Sequence, residues 1–416
     1  MRLPNTLLAL LFAAVTSSAQ STEWYKGNLH THSLWSDGDH FPEMIAKWYQ
    51  DRGYHFLTIT DHNILHNEEK WIPVNKTRNR DIAYEKYLKH FGNDWVETKT
   101  DEKGQLHVRL KHRDEYLPKV EQPGRFLLIQ SEEVSARYLT SPIHINAANI
   151  QYKIAPLTGN SVLDVMQKNV SAILAQEKET GQPMLPHINH PNFGWAVTAE
   201  ELMRVRGERF FELYNGHPAV RNRGDKTHAN TEKMWDIINT RRLTELNMPM
   251  MYGLATDDTH NHHVVEQKQS IGGRGWVMVR AKELSTPAII RAMKRGDFYS
   301  STGVTLQSLK VTKKALAVAV APETGATYTI QFIGTLKDHD STNEPIRNAA
   351  GEKLRITHRY SADIGKVLKE VKGTKARYQL TGKELFVRAK ITSSQEQALP
   401  LQDGDPAIAW TQPIRP

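Results

Sequence analysis

Gly27-Asn28-Leu29-His30-Thr31-His32-Ser33-Leu34-Trp35-Ser36-Asp37-Gly38 is the stretch on which the reading of the chain turns. Residues i and i+2 of an extended strand face the same way, so a strand ending here aims the imidazoles of His30 and His32 at one point. Ser36-Asp37-Gly38 reads as a turn that swings a carboxylate back toward that point. Two convergent imidazoles and a carboxylate suit a cation. A His-x-His alone is more often a pair of surface histidines on an edge strand. The rest of the chain decides between these readings.

Outward from that stretch, Pro42 to Tyr49 has helical apolar spacing, with Pro at a first helical position and Gly53 as a stop. His55 to Thr60 is a buried-strand run ending in Asp61-His62-Asn63. Residues 64–124 break the rhythm, being charged and without clean periodicity, and read as an insertion over one rim, a lid or substrate wall. The rhythm resumes at Phe126 to Gln130, followed by Ser131-Glu132-Glu133-Val134, and at Ile143 to Ala147, a strand containing His144. Ser161 to Lys178 is helical, and Met184 to Pro191 is a short strand running into a loop with His187 and His190. Thr198-Ala199-Glu200-Glu201 is a capping box. Strands at 209–214, 249–255 and 276–279 alternate with helices at 231–242 and 287–294, and the second of these strands ends in Thr256-Asp257-Asp258-Thr259-His260.

Strands alternating with helices predict right-handed crossovers and a mainly parallel sheet. Polar clusters after successive strands predict a distorted (β/α)7 TIM-like barrel over residues 20–304, with its site at the C-terminal strand ends. An open doubly wound sheet is the alternative, and it predicts a single crevice. Beyond Gly303 the pattern changes to short period-2 runs, so residues 305–416 read as a small β-sandwich-like module without chemistry of its own.

The 416 residues are 39% hydrophobic and 24% charged, ordinary for a globular chain with a large core. The net charge of +8 is spread out, with no basic block of the kind that marks a nucleic-acid-binding tail. Arg2, the apolar run Leu7 to Val15 and Ser17-Ser18-Ala19 read as a cleaved signal peptide over residues 1–19, which implies an exported, periplasmic or secreted protein. No segment has the length to anchor the mature chain in a membrane. The chain has no cysteine, so neither disulfides nor a thiolate zinc site contribute.

Collected from the strand ends, His30, His32, Asp37, His62, Glu133, His144, His190, Asp258 and His260 are too many for one acid–base pair. They suit two or three divalent ions of the Zn, Mn or Fe type, which accept mixed nitrogen and oxygen ligands. The ordered set His-x-His with Ser-Asp-Gly, Thr-Asp-His-Asn, Glu-Glu-Val-Ser, His-Ile-Asn, Asn-His-Pro and Asp-Asp-Thr-His resembles the PHP (polymerase and histidinol phosphatase) superfamily over roughly residues 24–303. The resemblance implies a distorted seven-stranded barrel, a di- or trinuclear metal centre and phosphoester hydrolysis. It implies one ion on His30, His32, Glu133 and Asp258. A second would lie on Glu133, His144 and His190, and a third on Asp37, His62 and His260.

Neighbouring residues compete at three places. Glu132 rivals Glu133, His187 rivals His190 and Asp257 rivals Asp258; the pattern favours Glu133, His190 and Asp258. Asp61 and Glu212 are candidates for supporting the ligands from behind. His217, His262 and His263 lie at the expected rim, while Phe193, Trp195 and Tyr252 line a pocket or fill the core. Glu133 and Asp258 would hold the hydrolytic centre, and His187, His217 or a water would protonate the leaving group. Arg137, Arg274 and Arg295 are candidates for holding a non-reacting anion on a small anionic substrate, with plain surface placement as the other reading. Two alternative functions remain: hydrolysis of C–N or C–O bonds as an amidohydrolase or lactonase, and non-catalytic binding of a glycan or protein.

Overall fold

The computed structural model describes residues 22–416, so the expected leader at 1–19 lies outside the described residues. The chain opens with β1 (Glu23–Asn28), α1 (Pro42–Gln50) and β2 (Phe56–Thr58). Next come β3 (Trp71–Pro73), α2 (Arg80–Phe91), β4 (Thr98–Thr100), β5 (Leu106–Arg109) and α3 (Arg113–Val120). The main rhythm then runs β6 (Leu127–Ile129), β7 (Ser131–Tyr138), β8 (Ser141–Ala148), α4 (Val162–Thr180), β9 (Leu185–Ile188), α5 (Ala199–Leu202) and β10 (Phe210–Asn215). It ends with α6 (Thr231–Thr244), β11 (Tyr252–Thr256), β12 (Trp276–Ala281), α7 (Thr286–Lys294) and β13 (Phe298–Ser301). Caps place the helices. Ser161 accepts from Asp164 N at the start of α4, which stops at Gly181 in the left-handed region. Thr198 and Glu201 form the expected capping box, although α5 is a single turn.

The fold is mixed α/β, and the described strands do not close into a barrel. β12, β1, β2 and β6 are consecutive in one sheet, while β11, β10, β9, β8 and β7 form another. The pairing is mixed. β1–β2, β2–β6, β9–β10 and β10–β11 are parallel, but β1–β12, β12–β13, β7–β8 and β8–β9 are antiparallel. The cause is the hairpin β7–β8. Only Gln130 separates β6 from β7, so the chain passes directly from one sheet to the other without a helix.

The two sheets meet through isolated bridges, Thr31 with Thr259 and His62 with Glu133. Both bridges involve or adjoin candidate ligands. The core beneath is apolar: α4 lays Val162, Val165, Met166, Val170 and Ile173 against the second sheet, and every residue of β10 is buried. Full burial of one such side chain contributes about 1.5–3 kcal/mol.

The insertion has its own small sheet in the order β3–β5–β4, with α2 and α3 beside it. Ile72, Ala83, Tyr87, Val96, Val108 and Leu110 pack on Leu34, Trp35 and Phe41, the loop that follows His32. It therefore buttresses one wall of the strand-end site.

The C-terminal strands are β14 (Leu306–Thr312), β15 (Ala315–Val320), β16 (Tyr328–Leu336), β17 (Asn343–Glu344), β18 (Arg359–Tyr360), β19 (Lys366–Lys372), β20 (Lys375–Gln379), β21 (Glu384–Glu396) and β22 (Pro406–Thr411). β14, β15 and β20 form a three-stranded sheet that faces β16, β21 and β22 across an apolar core. β22 also pairs with β13, so one nine-stranded sheet runs from this module into the strand β1 that carries the opening stretch.

Candidate metal centre

Glu133 is the hub. It stands on β7 and is buried. His144 Nδ1 lies 3.1 Å from its Oε1, with His30 Nε2 at 3.5 Å and His190 Nε2 at 3.6 Å. His62 Nδ1 meets its other oxygen. Around the end of β1, His30 Nε2 and His32 Nε2 are 3.1 Å apart, and Asp258 Oδ1 lies 3.2 and 3.3 Å from them. Donors placed 2.0–2.1 Å from a tetrahedral zinc-type ion stand about 3.3 Å from one another, so this spacing fits a shared cation.

A second grouping joins Asp37 to three imidazoles. His32 Nδ1 is 3.5 Å from its carboxylate, His62 Nε2 3.4 Å and His260 Nε2 3.4 Å. The loop from Ser33 to Gly38 folds tightly to place it: Gly38 N donates to Ser33 O at 3.0 Å, and a Cβ on Gly38 would strike the carbonyl of His32. All nine side chains named from the sequence thus meet at the strand ends. Their grouping differs in detail, because His62 lies with Glu133 and His144 as well as with Asp37, and His32 faces both groups.

The three competing pairs face different ways, by strand alternation for Glu132 and Glu133 on β7 and by loop geometry for the other two. Glu132 points away and accepts from Ile154 N at 2.6 Å. Asp257 turns from the cluster, with Oδ1 accepting from Arg274 N and Gly275 N and Oδ2 from Gly273 N and Tyr49 OH. His187 does not reach the open side. It is buried behind His30, with Nε2 3.5 Å from Glu212 Oε1, and is not placed to hand a proton to a leaving group. Asp258 and His190 have φ of 51° and 24°, a left-handed backbone rare for such residues and typical of functional strain.

A second layer fixes the first. Glu212 accepts from His30 Nδ1 at 2.7 Å, His190 N at 2.8 Å and Thr256 Oγ1 at 2.7 Å, so His30 turns Nε2 toward the cluster. Asn189 donates to Glu133 Oε1 at 2.6 Å and Asn215 to Asp258 Oδ2 at 3.0 Å. Ser135 Oγ lies 2.6 Å from His62 Nδ1. Of these, only Glu212 was singled out by sequence reasoning. Asn189 and Ser135 sat next to or two residues from a ligand candidate, which is the signal that could have found them. Asp61 supports the loop instead of a ligand histidine, accepting from Ser33 N at 2.8 Å, Ser33 Oγ at 2.5 Å and His66 Nε2 at 2.7 Å.

The charges are strongly coupled. Burial alone would raise Glu133 and Asp258, yet the imidazoles around them hold both carboxyls well below the usual range. Burial alone would lower His30, but Asp258 and Glu212 carry it well above the ordinary histidine value. His62 is raised to about 11 by Glu133 and Asp37 against the burial that lowers it. Burial and then His260 lower His32 to about 4.

The remaining candidates separate cleanly. Arg274 is buried and spends its guanidinium on the carbonyls of Gly216, Gln267, Gln269 and Leu399, so it holds loops and no anion. Arg295 pairs with Asp297 on the surface. His262 and His263 pack with His40 and Asp39 beside the centre. Trp195 stacks on His228 at 3.9 Å, and Tyr252 belongs to the core. Phe193 lies against His190. His107 and His112 lie in the insertion, both half-buried. Among the described residues no helix is long and apolar enough to cross a membrane.

No known family profile matches the chain, and no curated protein matches it. Solved structures similar to it include these two. One is a two-domain protein from Bacteroides vulgatus containing a predicted PHP-like metal-dependent phosphoesterase, 13% identical, covering 94% of this chain and 96% of that one at a TM-score of 0.38. The other is a predicted metal-dependent phosphoesterase from Bifidobacterium adolescentis, 12% identical, covering 56% of this chain and 87% of that one at a TM-score of 0.29.

Proposed function

We propose that this chain is a PHP-type metal-dependent hydrolase that cleaves phosphoesters. The observation that supports it most is the ring of donors around Glu133, with His30, His32 and Asp258 at cation-sharing distances of 3.1–3.3 Å. The donor chemistry fits divalent ions. It is nitrogen and carboxylate oxygen throughout, and His144 Nδ1 sits 3.1 Å from Glu133 Oε1 without hydrogen-bond geometry, as two ligands of one ion would. His30, His32, Glu133 and Asp258 would hold one ion, Glu133, His144 and His190 a second, and Asp37, His62 and His260 a third. When bound, two or three such ions supply a water acidic enough to react near neutral pH and positive charge for a phosphoryl group.

The chain's own residues do the rest. Glu212 fixes the tautomer of His30, and Asn189 and Asn215 orient the two carboxylates. His217 replaces His187 as the proton donor. Its Nδ1 accepts from Ala219 N at 3.1 Å, so the proton sits on Nε2, and its ring lies 5.4 Å from that of His260 at the mouth. Burial lowers its pKa and keeps it neutral at pH 7. The proposal includes export, on the leader-like residues 1–19, and N-terminal sequencing of the mature protein tests that part.

The central test joins elemental analysis to a substrate panel. Two or three divalent ions per chain with release of inorganic phosphate from phosphoesters is the expected result. A metal-replete chain that leaves phosphoesters intact and opens amides or lactones overturns it.

A further inference from the structure

We infer that Arg137 and the cleft beside it form a recognition subsite for a second anionic group on the substrate, carried by the alcohol portion of a phosphomonoester; this rests on the phosphoesterase reading above. Glu133, Ser135 and Arg137 alternate along β7 and so share one face. That face runs from the hub carboxylate, through the hydroxyl that holds His62, to a guanidinium. The register pairs Ser135 with His144 and Arg137 with Pro142 across the hairpin. Arg137 thus stands two residues, about 7 Å, beyond the pair that borders the metal centre.

A cleft of about 350 Å³ opens along this face, lined by Ser135, Arg137, Pro142, His144, Pro156 and Thr158. Its inner wall is His144, a candidate ligand, and its outer wall is Arg137. The volume suits an alcohol portion of sugar or amino-acid size. Arg137 is exposed and makes no ion pair among the described residues, whereas Arg274 is consumed by carbonyls and Arg295 by Asp297. It is the one arginine of the three weighed from the sequence whose forked donors are free to meet a carboxylate or phosphate in two parallel hydrogen bonds.

The test uses a matched pair, 3-phosphoglycerate and glycerol 3-phosphate, which differ by a carboxylate in place of a hydroxymethyl group. The metal-loaded full chain is expected to prefer 3-phosphoglycerate by about tenfold or more in kcat/KM, the worth of one charged hydrogen-bonded pair. Arg137→Ala should abolish the preference through KM, Arg137→Lys should restore part of it, and the metal content of both variants should match the parent. Equal use of the two esters by the parent, a preference that survives Arg137→Ala, or loss of metal in that variant would each overturn the assignment. If p-nitrophenyl phosphate is cleaved while the pair is not distinguished, the subsite alone is wrong. If no phosphoester is cleaved at all, the hydrolase reading falls with it.

Discussion

Two of the places where this molecule buries charge are resolved differently. Where α6 meets β21, Arg388 donates from Nε and Nη2 to the two oxygens of Asp236 at 2.8 and 2.7 Å, and Lys390 pairs with Glu232 at 2.6 Å. That junction neutralises itself with fixed cations. Around Glu133 the carboxylates meet imidazoles, asparagine amides and a hydroxyl but no lysine or arginine among the described residues, and an imidazole carries positive charge only when protonated. A buried charge is tolerated when it is paired, so the first site is a structural joint and the second is built for cations from solution.

The contrast breaks most sharply at its hubs. Glu133→Ala should remove bound metal and lower phosphoester turnover by roughly a thousandfold or more, with the circular-dichroism spectrum unchanged. An active, metal-replete variant would take away the hub role. Asp236→Ala should do the reverse. Stranding Arg388 in the joint should cost about 3–5 kcal/mol in urea unfolding while metal stoichiometry stays the same.

Smaller effects sharpen it. Glu212→Gln should weaken metal binding by about 10- to 100-fold, measured by competition with a chelator, because His30 loses its carboxylate anchor. Glu132→Gln tests the neighbour that faces away. Burial raises Glu132 to about 7, so the folded chain keeps its proton where the unfolded chain loses it near 4.5. That contribution to stability is full below about pH 4.5 and is lost as pH rises through 7. The neutral variant should therefore gain about 1–3 kcal/mol over the parent at pH 8 and nothing at pH 4.5, read from melting curves at both values.

Much of this was legible in the chain. The strand-end clusters, the helices at 162–180 and 286–294 and the β-rich C-terminal stretch all follow from spacing that local structure obeys. The hairpin β7–β8 was not, since a strand entered one residue after another looks like its continuation. That single step put Glu133 in the second sheet and replaced the expected barrel with two sheets joined by isolated bridges. The support residues Asn189, Asn215 and Ser135 stayed hidden because a polar side chain acquires a role only from what faces it.

By itself, the order of residues determined which donors the site contains, because most of them fall in the few residues just after a strand, where the chain turns at the same end of the sheets. Only the packing of the two sheets decided which donors share an oxygen of Glu133, why His187 ends up behind Glu212, and which arginine is left free. Those outcomes depend on contacts between segments up to two hundred residues apart, and no local preference encodes such distances.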